Sequence, residues 1–327
     1  MVIPPKYFLT PKISQLLQSI EASKEVINSL EIPKELETNI RRKSTLKSSL
    51  FSARIEGNTL TLDELPTTPS KSQKTKEVFN ILKALNWIYE RRAKDLNIKD
   101  ILKLHQMVME GFTSKYEAGK FRTEVGAIFN ASGIAIYLPP RPSQILFLIK
   151  KLLKFANSPK EQFAPIKAAL IHYIFEKIHP FLDGNGRVGR LLLQAVLQKE
   201  GYGMKGILPL EEYLDNHRSE YYSALETSEK DATDYVEFIL ESIAETAKEV
   251  KEQFLKKDGV RIEDLLLPRR AEILNIIKEH GMVNFDTIRR RFLSVNERTL
   301  RYDLKKLADA GLAKKRGTTK GVHYEAT

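Results

Sequence analysis

A stretch of twelve residues, His179 to Arg190, holds the residue types that phosphate chemistry requires. It reads His-Pro-Phe-Leu-Asp-Gly-Asn-Gly-Arg-Val-Gly-Arg. His179 is suited to moving a proton near neutral pH, and Asp183 offers the hard oxygen ligand that Mg²⁺ prefers. Glycines let a backbone approach a phosphate closely, and the two arginines, three residues apart, can hold further phosphate oxygens. The stretch therefore indicates a site for phosphate transfer.

Two apolar segments flank this stretch and must position it. Residues Ala164–Ile178 carry apolar side chains at helical spacing, and so do residues Arg187–Gln198. Asp183-Gly-Asn-Gly186 cannot comfortably continue a helix, so we expect these four residues to form a loop. The loop would end at a helix N-terminus, whose free backbone N–H groups form a natural anion site. The elements thus predict a helix, a phosphate-binding loop and a second helix.

The pattern His-x-Phe-x-Asp-Gly-Asn-Gly-Arg-x-x-Arg resembles the core motif of the Fic (filamentation-induced-by-cAMP) family, and every specified position is matched. The resemblance implies a mainly α fold, an all-helical Fic core with a small β-hairpin flap. It also implies a protein adenylyltransferase, which transfers AMP from ATP to a Ser, Thr or Tyr hydroxyl of a target protein. His179 would be the catalytic base and Asp183 the Mg²⁺ ligand. The nucleotide would lie against Asp183, Gly184, Asn185, Gly186, Arg187, Val188, Gly189 and Arg190.

A second motif, Ser52-Ala-Arg-Ile-Glu56-Gly57, resembles the inhibitory motif Ser/Thr-x-x-x-Glu-Gly/Asn of Fic proteins. The resemblance implies that Ser52, Glu56 and Gly57 are regulatory. A glutamate that reaches Arg190 would occupy the guanidinium that should bind the terminal phosphate of a nucleotide. The α-phosphate would then be misaligned for attack. The alternative is an ordinary solvated glutamate one residue before a helix-ending glycine.

Two further segments resemble the walls of a Fic site. Residues Val125–Asn130 and Ile134–Leu138 are β-prone around a Ser-Gly turn, which predicts the flap hairpin. We expect one helix over Leu208–Glu226. It contains Arg-Ser-Glu-Tyr-Tyr, which is similar to the family segment whose tyrosines help to form the nucleoside pocket. Tyr221 and Tyr222 would then contact the nucleoside, or they are core residues of this helix. We expect His105 and His172 to be structural.

The remaining pattern divides the chain into four parts. Residues 1–95 form an N-terminal helical region with the inhibitory helix near 41–57, residues 96–255 the catalytic core, residues 256–267 a linker, and residues 268–327 a winged helix-turn-helix. The last part is predicted to be a winged helix-turn-helix because its pattern gives three helices followed by two strands. The expected helices are Arg269–His280, Phe285–Arg291 and Glu297–Ala310, and the expected strands are Leu312–Arg316 and Val322–Glu325.

Positive charge is concentrated in the C-terminal part. The 327-residue chain has a net charge of +11, and Pro268–Thr327 holds 14 Lys and Arg against 7 Asp and Glu. This asymmetry predicts binding to double-stranded DNA through 268–327. A protein-interaction winged helix is the alternative. The expected DNA contacts are Arg298, Arg301, Tyr302 and Lys305 on the recognition helix, and Lys314, Lys315, Arg316 and Lys320 on the wing.

The amino-acid composition excludes some kinds of site and indicates the compartment in which the protein is expected. The chain contains no cysteine, which excludes disulfides, cysteine zinc sites and thiol catalysis, and fits a reducing cytoplasm. The N-terminal residues lack the apolar core of a signal peptide, and no apolar run approaches membrane-spanning length. We therefore expect a cytoplasmic protein without a membrane partner. The resemblance also implies that the chain can form a homodimer.

Other functions fit the same residues. One alternative is that the site transfers another nucleotide or removes AMP from a modified target, with Glu56 orienting a water molecule in the removal. The chain could also be a DNA-binding regulator in which the Fic domain senses a ligand. The presence of His179, Asp183 and both arginines argues against an inactive sensor, because sensing alone requires no base.

Overall fold

The computed structural model describes residues 1–32, 34–62, 64–65, 72–91, 94–114, 117–129, 135–228, 230–255, 266–293, 295–317 and 321–327. The chain divides into two compact units. The first is formed by Met1–Ile32 with Ser44–Glu252, and the second by Pro33–Lys43 with Gln253–Thr327. Within the described part of the chain, no helix has both the length and the apolar character needed to cross a membrane.

Helices dominate the chain up to residue 255, which confirms the expected mainly α class. A short 3₁₀ turn at Met204–Gly206 follows the seventh helix. The helices are α1 Pro11–Ser29, α2 Lys34–Ile55, α3 Gln73–Glu90, α4 Ile98–Val108, α5 Pro142–Ala156, α6 Ala164–Ile178, α7 Asn185–Lys199, α8 Leu210–Asn216, α9 Arg218–Glu226 and α10 Thr233–Leu255.

Helices α6 and α7 form the centre of the first unit. Fourteen of the fifteen residues of α6 are buried, as expected for a helix that is apolar on all sides. Helices α3 and α4 pack against α7, and α5 packs against α6. The segment between α6 and α7 is the motif stretch, so the predicted site lies between the two most buried helices.

A two-stranded hairpin precedes α5. Strand β1, Ile128–Phe129, pairs antiparallel with β2, Ala135–Tyr137, and Ile128 lies opposite Tyr137. The hairpin is therefore confirmed, with shorter strands than expected. Its predicted Ser-Gly turn lies outside the described residues.

The helices before and after the motif show where the sequence patterns succeed and fail. The bounds of α6 agree with the prediction. The expected loop Asp183–Gly186 is wrong in its second half, because α7 begins at Asn185 after Gly184 takes a left-handed φ of 79°. The expected single helix Leu208–Glu226 is also wrong. It is interrupted at His217, whose φ of −116° and ψ of 40° are not helical, and forms α8 and α9.

The second unit contains helices and a three-stranded sheet of order β3-β5-β4, with both pairs antiparallel. One apolar core joins these elements, with Ile273, Ile288 and Leu304 fully buried. The elements are α11 Pro268–His280, β3 Met282–Asn284, α12 Phe285–Arg291, α13 Glu297–Asp309, β4 Ala313–Arg316 and β5 His323–Ala326.

The three predicted helices and two predicted strands of this unit are confirmed within two residues at each end. Asn284 caps α12, since its side chain accepts a hydrogen bond from the N–H of Thr287. Strand β3 was not expected, and it makes the predicted two-stranded wing a three-stranded sheet. Most of the predicted linker, 256–265, and Lys320 lie outside the described residues.

Candidate active site

His179 ends α6 in an unusual backbone conformation. Its φ of 47° and ψ of 60° are left-handed, and its N–H donates to the carbonyl of Phe175 at 2.9 Å. A residue with a Cβ takes this conformation at some energetic cost, so its neighbours must hold it. Burial lowers the pKa of His179 from 6.5 to about 4. The imidazole is therefore neutral at physiological pH and available as a proton acceptor.

Arg122 is the residue that holds this turn. Its Nε donates to the carbonyl of His179 at 2.8 Å, and its backbone N–H donates to the carbonyl of Pro180 at 2.9 Å. The other guanidinium nitrogens donate to the carbonyls of Glu124 at 2.8 Å and Pro140 at 2.6 Å. Glu124 and Pro140 lie on either side of the hairpin in sequence. One buried guanidinium thus joins the turn at His179 to both ends of the hairpin segment.

The loop after His179 is closed by its own side chains. The amide of Asn185 makes two hydrogen bonds of 2.9 Å with the backbone of Phe181, one to its N–H and one to its carbonyl. Gly184 could not be replaced without a shift, because an added Cβ would lie 2.7 Å from the sulfur of Met109. The side chain of Asn185 is therefore structural, and only its backbone is available to a ligand.

His105 supports the same loop from α4. Its Nδ1 accepts a hydrogen bond from the N–H of Gly119 at 2.8 Å, so the proton must be on Nε2. Nε2 then donates to the carbonyl of Asp183 at 3.1 Å, and the ring stacks on Phe181 with 3.7 Å between centroids. Burial lowers the pKa of His105 to about 4, which keeps this tautomer neutral. These contacts agree with the structural role expected for His105.

Asp183 fits a metal that is carried mainly by a substrate. Its Oδ1 accepts from the N–H of Gly184 at 2.6 Å, and 63% of its side chain is exposed. No group of three or more His, Asp and Glu side chains capable of holding a metal occurs within the described residues. Mg²⁺ commonly uses one or two carboxylates and completes its shell with waters and phosphate oxygens. One exposed carboxylate beside an anion site fits that arrangement.

Arg187 lies between two carboxylates. Its Nη1 is 2.7 Å from Oε1 of Glu77 on α3, and its Nη2 is 2.9 Å from Oδ1 of Asp183. The other oxygen of Glu77 accepts a hydrogen bond from the side-chain amide of Asn58 at 2.9 Å. Glu77 was not expected from the sequence. It connects an arginine of the motif to the residue two positions after Glu56.

Arg190 is bound by the segment that carries the second motif. Its Nη2 is 2.8 Å from Oε1 of Glu56 and 2.9 Å from the carbonyl of Ser52. Its Nε donates to Oγ of Ser52 at 3.0 Å. The guanidinium is almost completely buried, with 1% of the Arg190 side chain exposed, whereas 27% of the Glu56 side chain is exposed. The structure therefore brings together the two residues whose contact the sequence predicts.

The Glu56 carboxylate also covers the start of α7. A Cβ added to Gly186 would lie 2.4 Å from Oε1 of Glu56 and 3.1 Å from Nη1 of Arg190. Glu56 therefore lies against the first turn of α7, where an anion would be bound by the N-terminus of the helix. Gly57 follows with a φ of 97°, which favours glycine. A carboxylate of the protein is thus placed in the predicted phosphate region.

Behind Arg190, the side chains of His172, Glu176, Tyr221 and Tyr235 form a polar cluster. Nε2 of His172 is 3.2 Å from the hydroxyl of Tyr221, and Nδ1 is hydrogen-bonded to the hydroxyl of Tyr235. Glu176 is 3.9 Å from His172, and its Oε1 is buried without a hydrogen-bond partner. Burial raises the pKa of Glu176 from 4.5 to about 8, although Arg190 lowers it. Glu176 is therefore predominantly protonated at neutral pH.

The other expected nucleotide contacts differ in exposure. Tyr221 is 1% exposed and belongs to the core, whereas Tyr222 is 43% exposed. The side chain of Val188 is fully buried, so only its backbone could meet a ligand. A Cβ on Gly189 would lie 2.0 Å from Oε1 of Glu176, so this glycine makes room for that acid.

The residues expected to contact DNA lie at the surface of the second unit. Arg298, Arg301, Tyr302 and Lys305 on α13 are all exposed, as are Lys314, Lys315 and Arg316 on β4. Some of their charge is paired locally. Arg301 lies 3.6 Å from Glu297 and over the ring of Phe285, and Arg316 lies 2.6 Å from Glu325.

Sequence reasoning missed Arg122, Glu77 and Arg218, which organise the site from a distance. Their partners are 57, 110 and 164 residues away in sequence. No local pattern marked Glu77, because it follows Gln73-Lys-Thr-Lys76 at the polar start of α3. The assembled site contains a neutral histidine, an exposed carboxylate, a helix N-terminus and two arginines. That combination can bind a polyphosphate and accept a proton beside it.

The part of the chain that contains the motif is similar in sequence to known proteins. Residues 95–197 match the sequence model of the Fic/DOC family. Protein adenylyltransferase Fic of Drosophila melanogaster is 29% identical over 243 residues, which cover 70% of this chain and 47% of that protein. The protein of Drosophila ananassae is 28% identical over the same length and is covered to 46%. The chain thus spans about half the length of the curated relatives that it matches.

Solved structures share the fold. A Fic family protein from Desulfovibrio desulfuricans G20 superposes with a TM-score of 0.66 at 24% identity, and 99% of this chain and 98% of that chain are covered. Fic-1 from C. elegans superposes with a TM-score of 0.60 at 23% identity, covering 75% of this chain and 73% of that chain. At these identities the likeness concerns the fold alone.

Proposed function

From the premise that residues 95–197 form a Fic domain, we propose that this protein is an adenylyltransferase. It transfers AMP from ATP to a Ser, Thr or Tyr hydroxyl of a target protein. The observation that carries this proposal is the position of neutral His179 in the stretch that also holds Asp183, Arg187 and Arg190. Curated relatives that share 29% identity over 70% of this chain are named protein adenylyltransferases.

The proposed reaction is an in-line displacement at the α-phosphorus. His179 accepts the proton of the target hydroxyl, and the oxygen forms a bond to the α-phosphorus. The bond between the α-phosphorus and the oxygen that bridges to the β-phosphorus breaks, and pyrophosphate leaves with that electron pair. The lowered pKa of His179, about 4, keeps its imidazole unprotonated before the reaction.

The phosphate chain is held by the start of α7. Backbone N–H groups of Asn185 and Gly186 offset the charge on the α-phosphate, and Arg187 and Arg190 hold the β- and γ-phosphates. Val188 and Gly189 complete this turn through their backbone. Asp183 would hold Mg²⁺, which would neutralise phosphate charge. Tyr222 forms one wall for the nucleoside, and Tyr221 supports its ring from the core.

Glu56 holds the enzyme inactive at rest. Its carboxylate, 2.8 Å from Arg190 and against Gly186, occupies the place that we assign to the γ-phosphate. Ser52 fixes the same guanidinium through two hydrogen bonds. Gly57 allows the chain to turn immediately after Glu56. A nucleotide must therefore either displace this carboxylate or bind with its phosphates misplaced.

The test is transfer of a radioactive α-phosphate from ATP to protein. We expect Glu56→Gly to increase labelling of the protein itself or of a lysate target by at least about tenfold, since a charge-assisted contact of 1.5–3 kcal/mol is removed. The double variant Glu56→Gly/His179→Ala should show no labelling. Glu64→Gly, eight positions further on, is the matched control for a lost charge and an added glycine.

Absence of labelling by the Glu56→Gly protein, with ATP, UTP and GTP each supplied in turn, would refute nucleotide transfer. Release of AMP from a pre-modified target by the unaltered protein would assign the reverse reaction to Glu56 instead. Mass spectrometry distinguishes these results, because an added AMP changes the mass of the target.

We propose a second activity, DNA binding, for the C-terminal unit as a winged helix. The supporting observation is the exposure of Arg298, Arg301, Tyr302 and Lys305 on one helix, followed by the exposed basic strand β4. Binding of the full chain to duplex DNA should weaken steeply with salt, because phosphate contacts release counterions. Arg298→Ala and Lys305→Ala should each weaken it, whereas Lys83→Ala in the first unit should not. Affinity that is independent of salt would contradict this proposal.

A further inference from the structure

The last turn of α2 carries backbone carbonyls that the helix itself cannot satisfy. A helix leaves its final carbonyls without N–H partners, and cations near that end are favourable. Here Nη2 of Arg218 donates to the carbonyl of Arg54 at 2.6 Å, and the hydroxyl of Tyr222 donates to the carbonyl of Ile55 at 3.1 Å. Both donors belong to α9. The end of α2 is therefore capped by another helix.

Asp215 fixes the guanidinium that makes this cap. Its side chain is 3% exposed and is hydrogen-bonded to Nη2 of Arg218. The other oxygen of Asp215 lies 3.1 Å from Nε of Arg54. One buried carboxylate thus joins two arginines from different helices, and paired contacts of this kind orient a guanidinium strongly. We call Asp215, Arg218 and Tyr222 the clasp.

The capped turn is the one that presents Glu56. The N–H of Glu56 donates to the carbonyl of Ala53 at 3.1 Å, and the N–H of Gly57 donates to the carbonyl of Arg54 at 2.9 Å. The N–H of Asn58 also returns to Ala53, at 3.1 Å. The carbonyl of Arg54 therefore accepts from both Gly57 and Arg218. Any movement of the clasp changes the turn on which Glu56 lies.

We propose that the clasp positions Glu56 against Arg190, with Arg218 as its principal residue. This inference rests on the proposed inhibition by Glu56 and adds the residues that maintain it. Arg218 touches neither the motif histidine nor Arg190 in the described contacts. We therefore expect its effect on transfer to pass through Glu56. Loss of Arg218 should free the turn, whereas Lys at this position can still place a cation beside the carbonyl of Arg54.

The first measurement is backbone amide hydrogen exchange at Glu56, Gly57 and Asn58. We expect Arg218→Met to accelerate exchange at these three positions about tenfold, since a charge-assisted hydrogen bond is lost. Tyr222→Phe keeps the ring, removes only the hydroxyl, and should accelerate the same amides less. Exchange in α1 is the internal reference for global folding. Unchanged exchange at residues 56–58 in Arg218→Met would overturn the proposal.

The second measurement separates positioning from a general structural effect. Arg218→Met should raise labelling from ATP several-fold in the unaltered background and leave it unchanged in the Glu56→Gly background. Arg218→Lys should restore the low resting level. An equal increase in both backgrounds would overturn the proposal. If the Glu56→Gly protein itself transfers nothing, the proposed function fails, and hydrogen exchange alone then decides whether the clasp positions Glu56.

Discussion

The backbone carbonyl of His179 accepts a 2.8 Å hydrogen bond from Nε of Arg122. A left-handed residue at the end of a helix would relax if its carbonyl were released. Arg122 is 4% exposed, and its remaining donors bind Glu124 and Pro140, so it cannot turn to solvent without breaking the whole set. The position of the imidazole therefore depends on a side chain 57 residues earlier.

Arg122→Met should lower kcat for transfer by about 10- to 100-fold, because a misplaced base loses its alignment with the reacting hydroxyl. The KM for ATP should change little, since Arg122 contacts no residue assigned to the phosphates. Steady-state kinetics in the Glu56→Gly background measures both constants. Arg122→Lys should recover only part of kcat, because one amine cannot replace three donors, and Lys120→Met is the control. A change confined to KM would contradict this role.

The pKa of His179 predicts the shape of the pH profile. Burial lowers the pKa from 6.5 to about 4, so the proton is lost at lower pH than from an ordinary histidine. As pH falls from 8 to about 5.5, the base stays neutral and kcat should remain flat. An exposed histidine would instead lose half of its activity near 6.5. Glu56 raises the pKa of His179, so its removal in the Glu56→Gly protein preserves this direction.

Glu176 should destabilise the protein at alkaline pH. Its folded-state pKa of about 8 exceeds the ordinary value of 4.5, so the folded state holds the proton more tightly. The stabilisation of the folded state that this proton binding gives is fully present below pH 4.5 and is lost as pH rises through 8. Glu176→Gln removes this loss. Its unfolding free energy relative to the parent should increase by about 2 kcal/mol between pH 6 and 8.5 in urea titrations.

Glu25→Gln is the control for this comparison, because the side chain of Glu25 is 71% exposed. A difference between Glu176→Gln and its parent that is the same at both pH values would contradict the buried, protonated state of Glu176.

Glu77 should contribute strongly to stability. It is 12% exposed and is shared between Arg187 and Asn58, so its removal leaves a buried guanidinium with Asp183 as its remaining carboxylate partner among the described contacts. Glu77→Ala should lower the free energy of unfolding by about 2–3 kcal/mol, because removing one partner of a buried pair leaves the other charge uncompensated in the protein interior. Chemical denaturation measures the change. Glu64→Ala should cost less than about 0.5 kcal/mol as a surface substitution.

Asp303 should have a comparable role in the second unit. It is 1% exposed and accepts hydrogen bonds from Arg269 and from Arg270, the latter at 2.9 Å. Asp303→Ala would leave two arginines without this buried partner, at a cost of about 3 kcal/mol. Hydrogen exchange of buried amides in α11 and α13 should accelerate accordingly. Asp309→Ala, at the exposed end of α13, is the matched control.

Periodicity predicted most helix bounds because local composition determines them. Helix α6 ends where Ile178 gives way to His179-Pro180, and α12 begins at the Asn284 cap. The start of α7 was missed because Asn185 is bound to the backbone of Phe181, which makes a poor helix former a stable first residue. Strand β3 was missed because three residues carry little pattern. The residues of β5 with which it pairs lie 39 to 43 positions downstream.

The motif residues were predictable because they adjoin one another in sequence, and Glu56 was predictable because a second motif carries it. Arg122, Glu77 and Arg218 were not, since each acts on a partner that only the fold brings near. Arg122 and Arg218 bind backbone carbonyls, and Glu77 binds a guanidinium and an amide; such contacts leave no spacing pattern in the sequence. Local sequence patterns can thus identify the reacting groups and miss the residues that position them.

Ser52 and Glu56 lie on the same chain as Arg190, 138 and 134 residues away. Their contact is therefore a unimolecular equilibrium, and diluting the protein does not weaken it. A tethered carboxylate of this kind competes at an effective concentration of about millimolar or more. A nucleotide meets only the fraction of molecules in which Arg190 is open, so its apparent affinity falls by that fraction. Anything that raises the open fraction would thus appear to an enzymologist as tighter substrate binding.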